Sequence, residues 1–387
     1  MKLKFNYKRR NPIVYFYYIL SNIFCKFLYT NNEVGKLKNI LLVNPNHIGD
    51  VIISCQLVKC IKNSKPDIKI SFLVGSWAAE IVKHTKHVNN IHVFDHFHSN
   101  RNNSFFLKKF FYYLTSIKPL LKELNLMRYD HIFVLNSFDP SLILVLRFLN
   151  NTNIIGFDSM AYSNLLDLSI NIQDKQLTEF NIQALLFKKW INPNFFKYSN
   201  DLFLLTKYKK FSKFSKRKFI LIFPFSGDPS REWNLNKWIV IFNRFKVFNF
   251  DIYIMGAGDI EHRKSKIFTT DEKVFNLVNN CSVSEYFYLV KKSEFIITVE
   301  SSALQLAAVY KKPTFLLSQI LESNKRWIPN NSNLFHLNYL KFNRSFFFYN
   351  KLQYFAIFRK FFLNKIDPDL VATFLIDLKQ NEKYLIS

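Results

Sequence analysis

The feature that most narrows the fold is a recurring junction in which an apolar run is closed shortly afterwards by a glycine. The chain has only 7 glycines in 387 residues, and Gly49, Gly75, Gly227 and Gly256 follow closely on the runs 39–44, 69–74, 218–224 and 251–255. Strands that turn tightly into helices are the building units of open α/β sheets, where ligands bind beyond the carboxyl ends of the strands.

Between these junctions the hydrophobic period switches back and forth between strand and helix. The first half predicts a strand over 40–43 and a helix over 50–62 that places Ile53, Leu57, Cys60 and Ile61 on one face. Strand 68–74, helix 77–86, strand 91–94, a long basic aromatic stretch, strand 131–135 and a short strand 153–156 follow. The pattern then restarts with strand 219–223, helix 236–247, strand 251–255, a helix from near Asp259 and strand 274–277. It continues with helix 283–291, strand 295–299, helix 303–309 and strand 314–317. Pro368 suits the first turn of a closing helix over 367–379. Two βα arrays in succession predict an α/β protein with two doubly wound, Rossmann-like domains, at 37–190 and 219–387. The connection, 191–218, carries Pro193 and a cationic run that includes Lys207, Lys209, Lys210, Lys213, Lys216, Arg217 and Lys218.

Composition excludes wholesale disorder, since 49% of residues are apolar and 21% charged. The four cysteines (Cys25, Cys55, Cys60, Cys281) show no paired spacing, which argues against a disulfide framework or zinc site and for a reducing compartment. The formal net charge of +26 calls for anionic partners, although the richness in Phe, Lys, Asn, Ile and Tyr also reads as AT-rich coding. The basic residues are dispersed and form no recognisable nucleic-acid module, so no nucleic-acid partner is expected. Segment 1–36 opens with Lys2, Lys4, Lys8, Arg9 and Arg10, then becomes apolar and aromatic over 13–29, interrupted by Asn22 and Lys26. It is short for a membrane span; it suits either a membrane surface or packing on the first domain. Residues 325–365 contain no acidic residue and many Phe and Tyr, a second stretch suited to an anionic leaflet.

Four segments carry chemistry. Asn44-Pro45-Asn46-His47-Ile48-Gly49-Asp50 puts a turn and a carboxylate at a helix start; Asp50 is either an N-cap or a proton acceptor. Pro224-Phe225-Ser226-Gly227 with Arg231-Glu232-Trp233 and Trp238 offers a hydroxyl, bare backbone and a guanidinium to a pyrophosphate, or a surface arginine beside core tryptophans. Met255-Gly256-Ala257-Gly258-Asp259-Ile260-Glu261 places Glu261 for ribose hydroxyls, or is an ordinary strand-to-helix turn. Glu300-Ser301-Ser302-Ala303-Leu304-Gln305 opens a helix whose free N–H groups and dipole seat an anion, with capping by Ser301 or Ser302 as the plain alternative.

In this order and spacing the four segments resemble glycosyltransferase family 9, the ADP-heptose:lipopolysaccharide heptosyltransferases, from about Ile40 to about Asp377. Ile48-Gly49-Asp50 matches the end of the family's Ser-Ser-Ile-Gly-Asp, with Asn46 and His47 in place of the serines. Tyr129-Asp130 and the strand after it match again, as do Lys312-Pro313 and Trp327-Ile328-Pro329. Arg231 replaces the lysine of Lys-x-Trp, and Glu300, Ser302 and Gln305 replace Asp, Gly and His of Asp-Ser-Gly-x-x-His-Leu-Ala. The resemblance implies a GT-B fold, two Rossmann-like domains facing a central cleft, and inverting, metal-independent transfer with no cofactor beyond an ADP-linked nucleotide-sugar. It implies Asp50 as base, and Ser226, Gly227, Arg231, Glu261, Glu300, Ser301, Ser302, Ala303 and Gln305 on the donor side. His47, Arg101, Lys108 and Lys109 are expected to face a phosphorylated glycolipid acceptor at the inner face of the cell membrane. A nucleotide-sugar epimerase of the same fold and a non-catalytic family member are the competing expectations.

Overall fold

The computed structural model describes residues 34–97, 105–136, 141–150, 152–158, 163–172, 174, 177–199, 202–203, 217–245, 250–268, 272–318, 326–329, 334–337, 360–361 and 363–373. The chain divides into two compact units, Met1–Leu204 and Leu205–Ser387.

In the N-terminal unit, β1 (Asn39–Asn44) leads into α1 (Ile48–Ser64), β2 (Lys69–Val74), α2 (Ser76–Lys83) and β3 (Asn90–Val93). Then follow α3 (Phe106–Met127), β4 (His131–Val134), α4 (Ser141–Leu146), β5 (Asn153–Phe157), β6 (Leu168–Ile170) and α5 (Glu179–Leu185). The six strands form one sheet in the order β3-β2-β1-β4-β5-β6, and its paired neighbours are parallel. Strands buried on both faces must be apolar throughout, which is why β1 and β2 read as continuous runs rather than alternating ones. Helix α1 is likewise buried along most of its length: Val51 to Val58, Cys60 and Ile61 are all buried, polar Ser54 and Gln56 among them. A helix of that kind belongs inside the unit. Burial pushes the Cys55 thiol up to about 12, so this cysteine behaves as a small apolar core residue.

The C-terminal unit repeats the plan. It runs β7 (Phe219–Phe223), α6 (Leu235–Phe245), β8 (Asp251–Ile254), α7 (Asp259–Ser265), β9 (Val274–Asn276) and α8 (Val283–Lys292). It closes with β10 (Ile296–Thr298), α9 (Ser302–Val309), β11 (Thr314–Leu317) and β12 (Leu334–Leu337). The strand order is β12-β11-β10-β7-β8-β9, again parallel between neighbours. Its core contains Trp233 and Trp238, packed edge-to-face with ring centroids 5.2 Å apart. Such a pair contributes about 0.5–1.5 kcal/mol beyond its buried area. Helical turns at 368–373 follow Pro368, as expected; the expected remainder of that helix lies outside the described residues, as do segment 1–33, the lysines at 207–216 and most of 325–365.

The sequence did not indicate α4, β6, α5 or β12, and it left α3 as a basic aromatic stretch. The three residues of β6 are too few to show a period, and only pairing with β5 identifies them as a strand.

Candidate active site

In each sheet the chain starts in the middle and winds outward in both directions, leaving a switch point between two central strands whose connections diverge. Ligands bind at such points in open α/β sheets. In the N-terminal unit the switch lies between β1 and β4, and in the C-terminal unit between β7 and β10.

At the first switch, Asn136 just beyond β4 donates its amide to Asn46 Oδ1, 3.0 Å away, and so ties the two strand ends together. Trp77 Nε1 donates to the Asn46 carbonyl at 2.7 Å. Trp77 can approach because residue 75 is glycine: a Cβ there would meet the indole ring at 2.2 Å. Below the turn, Asn44 Nδ2 donates to Ser54 Oγ (2.6 Å) and to the Asp50 carbonyl (3.2 Å). Ser54 Oγ lies 2.9 Å from Gln183 Oε1, and Gln183 Nε2 donates to Glu179 Oε1 at 3.1 Å. These side chains are buried, and such groups are costly unless bonded, so the network fixes the start of α1.

Asp50 is therefore held on a rigid frame, but not as an N-cap. The cap position belongs to His47, with extended backbone (φ −75°, ψ 162°), and Asp50 is the third helical residue. Its Oδ2 accepts the His47 N–H at 3.2 Å, the reach-back half of a capping box. Asp50 is partly exposed and His47 exposed, beyond the carboxyl end of β1.

At the second switch, Ser226 Oγ donates to the Glu300 carbonyl at 2.9 Å and bridges the ends of β7 and β10. Gly227 is exposed beside it. Arg231 Nε lies 3.5 Å from both Asp228 Oδ2 and Glu300 Oε2; its side chain is 41% exposed, against 14% for Glu300. The guanidinium is thus positioned by two carboxylates while much of it faces solvent. Glu232, buried beside it, accepts from Ser226 N–H (3.2 Å) and pairs with Lys264 Nζ at 2.5 Å. Ser301 is the N-cap of α9: its hydroxyl accepts from Ala303 N–H at 3.3 Å and lies 3.0 Å from Thr298 Oγ1. Ser302 opens the helix, partly exposed, and Ala303 is buried behind it.

Gln305 is buried and donates Nε2 to the Trp327 carbonyl at 2.6 Å, joining α9 to the 326–329 turn. Glu261 Oε2 accepts the Ala257 N–H at 2.8 Å, so one of its oxygens holds its own turn. A Cβ at Gly256 would lie 2.8 Å from that oxygen, which is why the turn needs glycine there. Gly258, with φ 123°, makes the reversal into α7 that few other residues allow.

Structure brings together Ser226, Gly227, Arg231, Glu300 and the Ser301–Ser302 helix start at one switch, and His47 with Asp50 at the other. Lys108 and Lys109 lie on the first turn of α3; Arg101 lies outside the described residues. Asn136, Trp77, Asp228, Glu232 and Lys264 were not anticipated. Asn136 follows directly on an apolar strand, the same signal that marked Asn44, and was the one legible from sequence.

Two parallel, doubly wound units with polar bridges at their switch points have the GT-B fold of sugar-transferring enzymes. Residues 117–317 match glycosyltransferase family 9 (heptosyltransferase), and the chain belongs to that family. Among solved structures it is similar to ADP-heptose LPS heptosyltransferase II of E. coli, at 16% identity and TM-score 0.67, covering 89% of this chain and 99% of that one. It is similar to a family 9 glycosyl transferase from Veillonella parvula, at 12% identity and TM-score 0.68, covering 92% and 99%. E. coli heptosyltransferase WaaC, solved with ADP-2-deoxy-2-fluoro heptose, matches at 12% identity and TM-score 0.64, covering 88% and 99%. No curated protein matches the sequence.

Proposed function

We propose that the chain transfers a sugar, in the simplest case a heptose, from an ADP-linked nucleotide-sugar to a lipopolysaccharide or related phosphorylated glycolipid. The transfer is inverting and metal-independent. It takes place at the inner face of the cell membrane, with 1–36 as the membrane-associating segment. The acceptor lies on the unit 37–190 and the donor on 219–387. One observation carries this reading: the Asp50 carboxylate, partly exposed beyond β1, is held by the His47 N–H on a bonded frame.

The acceptor hydroxyl oxygen attacks the anomeric carbon and gives its proton to Asp50. The bond from that carbon to the phosphate oxygen breaks, and nucleoside diphosphate leaves with the electron pair. A sugar hydroxyl is a poor nucleophile, so a placed base is needed. Charge grows on the departing diphosphate, where Arg231, the Gly227 backbone and the start of α9 provide charge-assisted and dipolar stabilisation, with Ser226 holding the loop in place through its bond to the Glu300 carbonyl. His47 beside Asp50 and Lys108 and Lys109 with Arg101 supply cations and donors to acceptor phosphates. The ADP-2-deoxy-2-fluoro heptose in the WaaC structure and the ADP-heptose named for heptosyltransferase II support the choice of donor.

The test is release of nucleoside diphosphate from ADP-, UDP- and GDP-sugars in the presence of glycolipid acceptor, with and without chelator, and with the product's anomeric configuration read by NMR. Release from an ADP-sugar that survives chelation and inverts configuration supports the proposal. Donor binding without any release in the presence of acceptor identifies a non-catalytic member instead.

A further inference from the structure

Helix α3 turns outward a face that is both apolar and basic. Tyr113, Leu120 and Leu124 are buried against Phe94 and Phe97 in the core. On the other side Phe105 (87% exposed), Leu107 (75%), Phe111 (69%) and Tyr112 (56%) stand in solvent, and Lys108, Lys118 and Lys122 are exposed among them. At about 100° per residue, Leu107, Phe111, Lys118 and Lys122 share one stripe opposite Tyr113 and Leu120. Single exposed apolar residues need no explanation, but a contiguous set does.

The charge says what covers it. Residues 105–122 contain no Asp or Glu. The first acid, Glu123, lies 2.5 Å from His92 Nδ1 and is about half exposed, off the Leu107–Lys122 stripe. A 22-residue helix is about 33 Å long, so this stripe is an extended cationic surface. Among the described residues no helix is long and apolar enough to cross a membrane, so α3 can lie on a bilayer but not span it.

We propose that this face of α3 docks the chain on an anionic bilayer, with Leu107 and Phe111 at the acyl boundary and Lys118 and Lys122 against headgroup phosphates. The inference rests on the membrane location proposed above and adds a second contact, independent of segment 1–36. It is tested by binding alone, so failure of the transferase reading would not move the result. Pro119 does not argue against it: the helix continues through it, and the hydroxyls of Thr115 and Ser116 bond back to carbonyls one turn earlier.

The experiment is cosedimentation of the full chain with phosphatidylcholine vesicles, with and without phosphatidylglycerol. The parent binds only the anionic vesicles. Leu107→Ser with Phe111→Ser, and separately Lys118→Glu with Lys122→Glu, each weaken that binding by about tenfold or more. Lys118→Arg with Lys122→Arg retains it. Circular dichroism is unchanged in all three, because the replaced side chains are exposed. Undiminished vesicle binding by both weakening variants overturns the proposal, as does a parent that ignores anionic vesicles. If Leu107→Ser with Phe111→Ser turns a lipid-free dimer into a monomer and leaves vesicle binding intact, the face belongs to a second copy of the chain.

Discussion

The two units share a topology but frame their switch points differently. At the end of β1 the bridging groups are amides and hydroxyls (Asn46, Asn136, Asn44, Ser54, Gln183), with Asp50 the carboxylate that projects from the frame. At the end of β7 the frame is ionic: Glu232 with Lys264, and Arg231 between Asp228 and Glu300. A frame built mainly of amides and hydroxyls, with Glu179 at its buried end, fixes the position of the Asp50 carboxylate, as the proposed base role requires. A lattice of charges holds a guanidinium ready for an anion whose own charge grows during reaction. One plan thus serves two tasks, because topology fixes where side chains converge and not which ones do.

The sharpest way to break this contrast is to remove the basicity of Asp50 without its shape. Asp50→Asn can still accept the His47 N–H, so α1 keeps its start and its thermal stability. Turnover falls about a hundredfold or more, in line with general-base contributions. Steady-state turnover within about threefold of the parent would reduce Asp50 to a capping-box residue.

Gly75→Ala tests whether the amide frame matters as a frame. The added Cβ drives Trp77, which is anchored by its bond to Asn46, off its seat. Overpacking of this kind costs about 2 kcal/mol. Denaturant midpoints report that loss, and turnover falls with it because the Asn46–His47 turn shifts. Normal stability together with normal turnover would show that Trp77 has no part in positioning the site.

A smaller effect is expected at the opposite edge of the same two strands. Burial pushes the Asp130 carboxyl up, but bonds from His131 and from the N–H groups of Lys38 and Asn39 outweigh it and hold it below its ordinary value. A lowered carboxyl stabilises the fold above its unfolded pKa, about 3.9, and that stability disappears as pH falls through the folded value. Asp130→Asn, which keeps one acceptor, costs about 1 kcal/mol at neutral pH. The gap from the parent closes below about pH 4, and turnover per folded molecule is unchanged. A gap independent of pH would mean that the bonds to Asp130 do not depend on its charge.

Much of this was legible in the sequence, because it depended on neighbours in the chain. The runs before Gly49, Gly75, Gly227 and Gly256 became β1, β2, β7 and β8, and Asp50 and Ser301 lie at the helix starts expected of them. What stayed hidden depended on strand order. Asn136 meets Asn46 across 90 residues only because β4 lies beside β1, and Ser226 meets Glu300 across 74 because β10 lies beside β7. Capping was misjudged at Asp50 for a local reason: the helix begins two residues earlier than its apolar pattern, so His47 takes the cap.

The division of labour between the two units is tested most directly by titrating ADP calorimetrically into the parent, Asp50→Asn and Arg231→Ala. Charge-assisted bonds contribute about 1.5–3 kcal/mol, so Arg231→Ala weakens ADP binding by about tenfold or more, while Asp50→Asn binds ADP as the parent does. Loss of ADP affinity in Asp50→Asn with full affinity in Arg231→Ala would contradict the account, placing the donor at the end of β1.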